Sequence, residues 1–285
     1  MKLCRFNNNK LGVVTADHIL DVTAVLEELP SYRYPAPNHD SLIANLERLR
    51  PSILQHAESA SPIPLYQATL LSPIANPTKL VCAPVNYQKH IDESMVDIEI
   101  HQNQHLDAIR KVALFLKANS AISGAGEGIK LRNLERRNDH EVELALVIGR
   151  HADRVSQADA FDYVAGYTIG LDMTTRGPED RSFRKSIDTY AVLGPWFVTA
   201  DSVADPENLD IELSVNGEVR QKANTKDLVV KIPELIAWAS SFYTLNPGDI
   251  IFSGTPDGVG RVNPGDVITA SIQEIGRMDV QVGSA

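Results

Sequence analysis

The sequence predicts an α+β fold dominated by β-strands, and three observations point there. From about residue 78 onward, short apolar segments bounded by turn residues recur; Asn216-Gly217, whose residues tolerate positive φ, reads as a two-residue hairpin; and helical spacing is confined to a few stretches. The strand candidates are residues 79–82, 142–148, 163–171, 196–199, 210–215, 250–253 and 267–272. Ile232, Leu235, Ile236, Ala239 and Phe242 keep helical spacing, and Asn246-Pro247-Gly248 should stop that helix. Asn-Pro-Gly-Asp occurs at 246–249 and again at 263–266, but two similar turns before strands make no repeat architecture. Antiparallel and mixed sheets rolled around a core fit this pattern better than a βαβ alternation.

Residues 1–75 read as a separate small unit. A hairpin of residues 2–6 and 11–14 turns at Asn7-Asn8-Asn9, a short strand follows at 19–22, and helical stretches lie near 42–49 and 53–56. Pro30, Pro35, Pro37, Pro62, Pro64, Pro73 and Pro77 punctuate these pieces and mark the passage into a main domain of residues 76–285. The small unit holds no catalytic cluster.

With 285 residues, 43% hydrophobic and 22% charged, the chain has a globular composition that excludes disordered and fibrous classes. Its formal charge of -10 argues against non-specific nucleic-acid binding, while Arg136-Arg137 and the basic run at 181–185 leave room for local pockets that take small anions. Cys4 and Cys82 are the only cysteines, so no disulfide framework is expected and a reducing cytosol suits the chain. The N-terminus turns polar at Asn7 before an apolar export segment could form. No run of 18 apolar residues occurs, so neither export nor membrane insertion is expected.

The chemistry is concentrated in Asp139-His140-Glu141-Val142-Glu143-Leu144. In an extended chain Glu141 and Glu143 project to one face, opposite Val142, Leu144, Leu146 and Ile148. Two anions so close repel, and a cation relieves them. Asp172 closes the segment 167–172, where Thr168 and Gly170 share its face and leave space beside the carboxylate. Three carboxylates with water suit Mg²⁺ or Mn²⁺; zinc fits less well without thiolates or paired imidazoles.

These residues lie within a longer pattern. Asn86-Tyr87-x-x-His90-x-x-Glu93, Leu114-Phe115-Leu116-Lys117, His140-Glu141-Val142-Glu143-Leu144, Tyr163-Val164-Ala165-Gly166-Tyr167, Asp172-x-x-x-Arg176, Lys185-Ser186-Ile187-Asp188, Leu193-Gly194-Pro195-Trp196, Val215-Asn216-Gly217-Glu218 and Gly254-Thr255-Pro256-x-Gly258-Val259-Gly260 occur in this order. Across roughly residues 70 to 280 the chain resembles the fumarylacetoacetate hydrolase family. The resemblance implies a mixed β-roll, a homodimer, and a divalent metal held by Glu141, Glu143 and Asp172. It further implies an enzyme that cleaves, decarboxylates or isomerises β-dicarbonyl and 2-oxo acid substrates of aromatic or related catabolism.

For such a substrate the metal acts as an electron sink, and hydrolysis also needs a base for water. His90 and Glu93, one helical turn apart, fit that base; by the resemblance they sit on a mobile lid. Lys185 would face the developing oxyanion, the Thr255 hydroxyl and the amides beside Gly254 would hold the carboxylate, and Asn86, Tyr87 and Arg176 would complete the substrate contacts.

Each candidate also has a plain structural reading. Glu141 and Glu143 alone could mark a solvated strand edge, His90 a hydrogen-bonded surface residue, and Lys185 a solvated basic face. Residues 254–260 could be a tight loop, and Arg176 a structural cation. The loop is neither a Walker loop nor a dinucleotide fingerprint.

Three departures bear on the substrate. Pro84 stands where the family commonly has Gly and stiffens the approach to the lid. Gly177-Pro178-Glu179-Asp180 stands where Asp and a substrate-facing Gln are common, so a donor is lost or replaced by an acid. The segment 94–111 is long, and Ile98, His101, His105, Leu106, Ile109 and Val112 partly keep helical spacing; it reads as an enlarged cap packing Ile109, Val112 and Leu114 against the pocket. His101 and His105 could grip a metal, although a polar helix face is the simpler reading.

The sequence therefore predicts a cytosolic, Mg²⁺- or Mn²⁺-dependent hydrolase of an acylpyruvate-type β-diketo acid. A 2-oxo acid decarboxylase or enol isomerase is the first alternative, and a non-catalytic binding protein on the same scaffold the second.

Overall fold

Val142, Leu144, Leu146 and Ile148 enter one core while Ala145 and Val147 enter another, so the strand Val142–Ile148 is buried on both faces. A strand with two apolar faces belongs at the centre of a sheet. It lies there, antiparallel both to Val164–Asp172 and to Ile250–Phe252. The computed structural model describes residues 1–97, 100 and 109–285, and within them strands dominate an α+β fold.

Beyond Ile250–Phe252 the sheet continues through Leu80–Cys82, which is parallel, to Phe115–Lys117. On the other side Val164–Asp172 pairs with Ala191–Thr199. A second sheet, built from Glu218–Asn224, Asp210–Val215, Val267–Ile272, Gly276–Ser284 and Ile129–Leu131, packs its Ile211, Leu213, Ile268 and Val280 against Leu144 and Leu146. Helix Ile232–Phe242 adds Ile232, Ile236 and Ala239 to the same core. At the hairpin between Asp210–Val215 and Glu218–Asn224, Asn216 and Gly217 have φ of 52° and 81°, the left-handed values its tight turn requires.

The first 75 residues, expected as a separate unit, extend the main sheet instead. Lys2–Phe6 pairs with Ala191–Thr199, and Lys10–Thr15, His18–Asp21 and Pro62–Pro64 continue outward. Leu3, Leu11, Leu49 and Ile53 share a core with Ala145, Val147, Leu193 and Phe252. A hairpin this small leaves an open edge and too little apolar surface to stand alone, and the main sheet supplies both partners.

Candidate metal centre

The strand order brings the acidic residues together. Glu143 lies opposite Gly170 in the register of Val142–Ile148 with Val164–Asp172, and the Asp172 amide donates to the Glu141 carbonyl at 2.9 Å. A Cβ at Gly170 would stand 2.4 Å from the Phe252 ring, so this position admits no side chain beside the site. Glu141, Glu143 and Asp172 are buried and offer one ligand oxygen each, all within 4.8 Å of one another. At that separation each ionised pair repels by roughly 3–4 kcal/mol for an effective dielectric near 20.

Cations answer most of that charge. Lys185 Nζ donates to Glu141 Oε2 and to Asp172 Oδ2, each at 2.6 Å. Arg176 donates through Nη2 to Glu141 Oε1 at 3.1 Å and through Nε to Asp139 Oδ2 at 2.8 Å. Lys117, from the strand Phe115–Lys117, donates to Asp172 Oδ1 and, at 2.7 Å, to the Tyr190 carbonyl. Burial pushes the Glu141 carboxyl upward, but Lys185 and Arg176 outweigh it and hold the group below the ordinary carboxylate range. Burial likewise opposes the charge on Lys185, and Asp172 and Glu141 more than restore it.

Glu143 differs. It accepts a backbone bond from Gly254 at 2.5 Å, and burial followed by the Asp172 charge pushes its carboxyl well above the ordinary range. The carboxylate least well matched by a cation thus lies among oxygen donors only, in a buried cluster without sulfur or imidazole. That donor chemistry fits a hard divalent ion such as Mg²⁺ or Mn²⁺, held by Glu141, Glu143 and Asp172.

The other expected residues divide into two groups. His90 and Glu93 meet at 2.8 Å through Nδ1 and Oε2 on the helix Gln88–Val96, and His90 lines the cleft above the carboxylates. Glu93 Oε1 also accepts from the Gly258 amide at 3.0 Å, and Asp97 Oδ2 accepts from Arg137 at 2.9 Å, so both the turn and the end of this helix are tied to the domain. Lys185, Arg176 and Thr255 line the same cleft.

Asn86 and Tyr87, expected as substrate contacts, do not line this cleft. The Asn86 side chain donates to the Val230 and Ser253 carbonyls at 2.9 and 2.8 Å and accepts from the Val230 amide at 2.8 Å, which engages it fully as a strut. Tyr87 is buried beside a separate surface cleft with Gln88 and Lys222. The Thr255 hydroxyl donates to the Val142 carbonyl at 2.9 Å and accepts from Gln221 at 2.8 Å; its hydrogen is therefore committed to the scaffold rather than to a carboxylate. Gly254, at φ 99°, turns its amide onto Glu143, and a Cβ there would lie 2.5 Å from Asn86 Cβ. Its contact is with a metal ligand.

Lys117, Asp139, Thr174 and Gln221 were not foreseen as parts of the site. Thr174 donates to Glu141 Oε1 at 3.0 Å, and Gln221 accepts from the Val142 amide at 3.1 Å. Lys117 lay inside a quoted motif, and a lysine closing a strand of apolar residues was the available signal. Of the proposed cap, His101, His105 and Leu106 lie outside the described residues, as does Ile98. Ile100 lines the cleft, Ile109 packs with Ala83, Val230 and Leu235, and Val112 packs with Val85 and Ile91 beside His90.

The cavity directly over the carboxylates measures about 30 Å³ and is lined in addition by Pro84, Phe115, Arg181 and Arg184. Arg184 also lines an outer cleft of about 680 Å³ together with Arg132, Arg136 and Ser182. Glu179, in the segment that departs from the family pattern, turns outward to Arg136, whose Nη1 and Nη2 reach it at 3.0 and 2.7 Å. Arg181 and Arg184 come from the short helix Arg181–Lys185. Burial and then the Arg176 charge bring the Arg184 guanidinium down to about 10.

Residues 79–283 match the model of the fumarylacetoacetate (FAA) hydrolase C-terminal family. A maleylpyruvate hydrolase of Aquipseudomonas alcaligenes is 54% identical over 289 residues, covering 100% of both chains. A human mitochondrial oxaloacetate tautomerase is 39% identical over 227 residues, covering 75% of this chain and 69% of the relative. Among solved structures, the maleylpyruvate hydrolase of Sphingobium sp. SYK-6 in complex with manganese(II) and pyruvate superposes with a TM-score of 0.85 at 42% identity, covering 100% of both chains.

Proposed function

The chain belongs to the fumarylacetoacetate hydrolase family, and on that premise we propose that it is a divalent-metal-dependent hydrolase that cleaves the carbon–carbon bond of an acylpyruvate-type β-diketo acid, with maleylpyruvate as substrate. The observation that carries this reading is the convergence on one cleft of an oxygen-only carboxylate cluster and the His90–Glu93 pair. The full-length similarity to maleylpyruvate hydrolases supports it.

When bound by Glu141, Glu143 and Asp172, the ion supplies a Lewis acid that draws electrons from the 2-oxo acid end of the substrate. Glu93 accepts from His90 Nδ1 and orients the ring so that the other nitrogen takes a proton from water. The water oxygen bonds to the acyl carbonyl carbon. The bond from that carbon to the pyruvate methylene carbon then breaks, its electron pair leaving on the pyruvate half, which takes up a proton. Pyruvate and the acid of the acyl group are the products. Lys185 and Lys117 keep the carboxylate cluster charged and in place, and Arg176 fixes Glu141.

Incubation of maleylpyruvate with Mn²⁺ and the protein should remove the enol absorbance and release one pyruvate per substrate consumed. A second reading comes from the oxaloacetate tautomerase similarity. Interconversion of oxaloacetate enol and keto forms, with no pyruvate from maleylpyruvate, would put that reading first. Carbon dioxide release would instead indicate a decarboxylase, and silence across all substrates a binding protein.

The same reading places the protein in the cytosol as a homodimer, with residues 76–285 carrying the chemistry. The free, buried state of Cys4 and Cys82 agrees with a reducing compartment. No described helix is long and apolar enough to cross a membrane. Sedimentation equilibrium tests the dimer.

A further inference from the structure

Arg184 is the misfit of the cleft. It is only 8% exposed, its Nε donates to the Glu179 carbonyl at 3.2 Å, and its buried Nη1 has no hydrogen-bond partner among the described residues. Its neighbours are matched: Lys185 by Glu141 and Asp172, and Arg176 by Asp139 and Glu141. Arg184 makes no ion pair among the described residues; burial and then the Arg176 charge disfavour its cation and outweigh the favourable but more distant charges of Glu141 and Asp172. A buried guanidinium nitrogen with no bonded partner is costly, so its presence in a cleft wall points to an anion that arrives from outside.

The position of Arg184 tells which anion. It lines the inner cavity together with His90, Glu141 and Glu143, and it lines the outer cleft as well. Lys185, the next residue in the same helix, contacts two of the metal ligands. A substrate whose 2-oxo acid end lies at the carboxylate cluster would therefore pass its acyl arm toward Arg184. Arg181 lines the inner cavity beside it and adds a second positive charge. We propose that Arg184, assisted by Arg181, binds a second carboxylate at the far end of the acyl arm, so that the site selects acylpyruvates that are dicarboxylates over those whose arm ends in a methyl group. A guanidinium suits this task because its planar fork meets both oxygens of a carboxylate.

This selectivity rests on the hydrolase reading, and the test separates the two. The Mn²⁺-loaded wild type, Arg184→Gln, Arg184→Lys and Arg181→Gln are compared on maleylpyruvate and acetylpyruvate, and binding of maleate is measured by calorimetry without turnover. The wild type should favour maleylpyruvate. In Arg184→Gln the ratio of the two kcat/KM values should fall about 30-fold, mainly through KM, with a similar weakening of maleate binding. Arg184→Lys should recover part of that loss, and Arg181→Gln should show a smaller fall.

An unchanged ratio and unchanged maleate affinity in Arg184→Gln overturn the proposal, as does a wild type without preference. A lowered Tm with an unchanged ratio overturns it too, by assigning Arg184 to the scaffold. Should Arg184→Gln fail to fold, Arg184→Lys decides, because a wild-type ratio in that variant leaves no role for the fork. A wild type that hydrolyses neither substrate removes the hydrolase reading; loss of maleate binding in Arg184→Gln would still uphold the carboxylate site.

Discussion

The floor of the cleft and its rim are built on opposite principles. On the floor, Glu141, Glu143 and Asp172 sit at strand ends in a sheet buried on both faces, and Lys185, Lys117 and Arg176 cancel most of their charge. At the rim, His90 and Arg184 sit on the helices Gln88–Val96 and Arg181–Lys185, and Arg184 keeps a nitrogen unpartnered among the described residues. The floor holds charge that its own cations largely balance; at the rim His90 pairs with Glu93, and an Arg184 nitrogen has no partner among the described residues. On the proposed reading, reaction class depends on the floor, and turnover and substrate choice depend on the rim.

The sharpest way to break this division is at the floor. Glu143→Gln should lower kcat/KM about 10³-fold and abolish the Mn²⁺-induced rise in Tm, because a ligand and one of the charges that attract the cation are lost together. A full Mn²⁺ shift in that variant would move the metal elsewhere. His90→Ala probes the rim: kcat should drop about 10²- to 10³-fold while the Mn²⁺-induced Tm shift stays. Turnover equal to wild type would place the base on another residue.

Asn86 joins the two regions, since it ties the start of the rim helix to Ser253 and Val230. Asn86→Ala should cost about 2–3 kcal/mol of stability, the consequence of unsatisfied backbone groups in the interior. A raised KM at unchanged Tm would return Asn86 to the substrate.

The smallest effect is a pH dependence. In the metal-free protein the Glu143 carboxyl is raised above its ordinary 4.5. Protonated Glu143 therefore stabilises the fold at low pH, and that contribution is lost as pH rises through the raised value. A bound cation keeps the group ionised without that loss. The Tm difference with and without Mn²⁺ should accordingly widen as pH rises above the ordinary carboxylate value of 4.5. A constant difference would show that Glu143 is already ionised without metal.

Much of the floor was legible from residues alone. The strand Val142–Ile148 was read with its bounds intact, because period-two spacing, β-branched residues and a following glycine all agree there. The hairpin at Asn216-Gly217 was legible because few residues accept two positive φ values in succession. The strand Gly276–Ser284 went unread although Met278, Val280 and Val282 alternate with polar residues and carry the signal.

The polar residues around the cleft were harder to place. Asn86 and Thr255 look like substrate contacts in a motif, yet their hydrogen bonds run to backbone groups at Val230, Ser253 and Val142. A side chain's donors and acceptors are known from its type; which partners reach them is decided by segments far away in the chain. The same holds for the N-terminal hairpin, whose free edge pairs with Ala191–Thr199.

The carboxylate pair on one strand face, the third acid beside a glycine and the spacing of His90 to Glu93 are properties of the sequence, and the acids point to a hard-metal site. Those properties follow from local periodicity and residue chemistry. Which cations answer which anions is a property of the folded chain, because it depends on distances between Lys117, Arg176, Lys185 and acids up to 55 residues away. Folding also set Arg184 in the wall with a nitrogen unpartnered among the described residues, since burial without a partner is a property of packing.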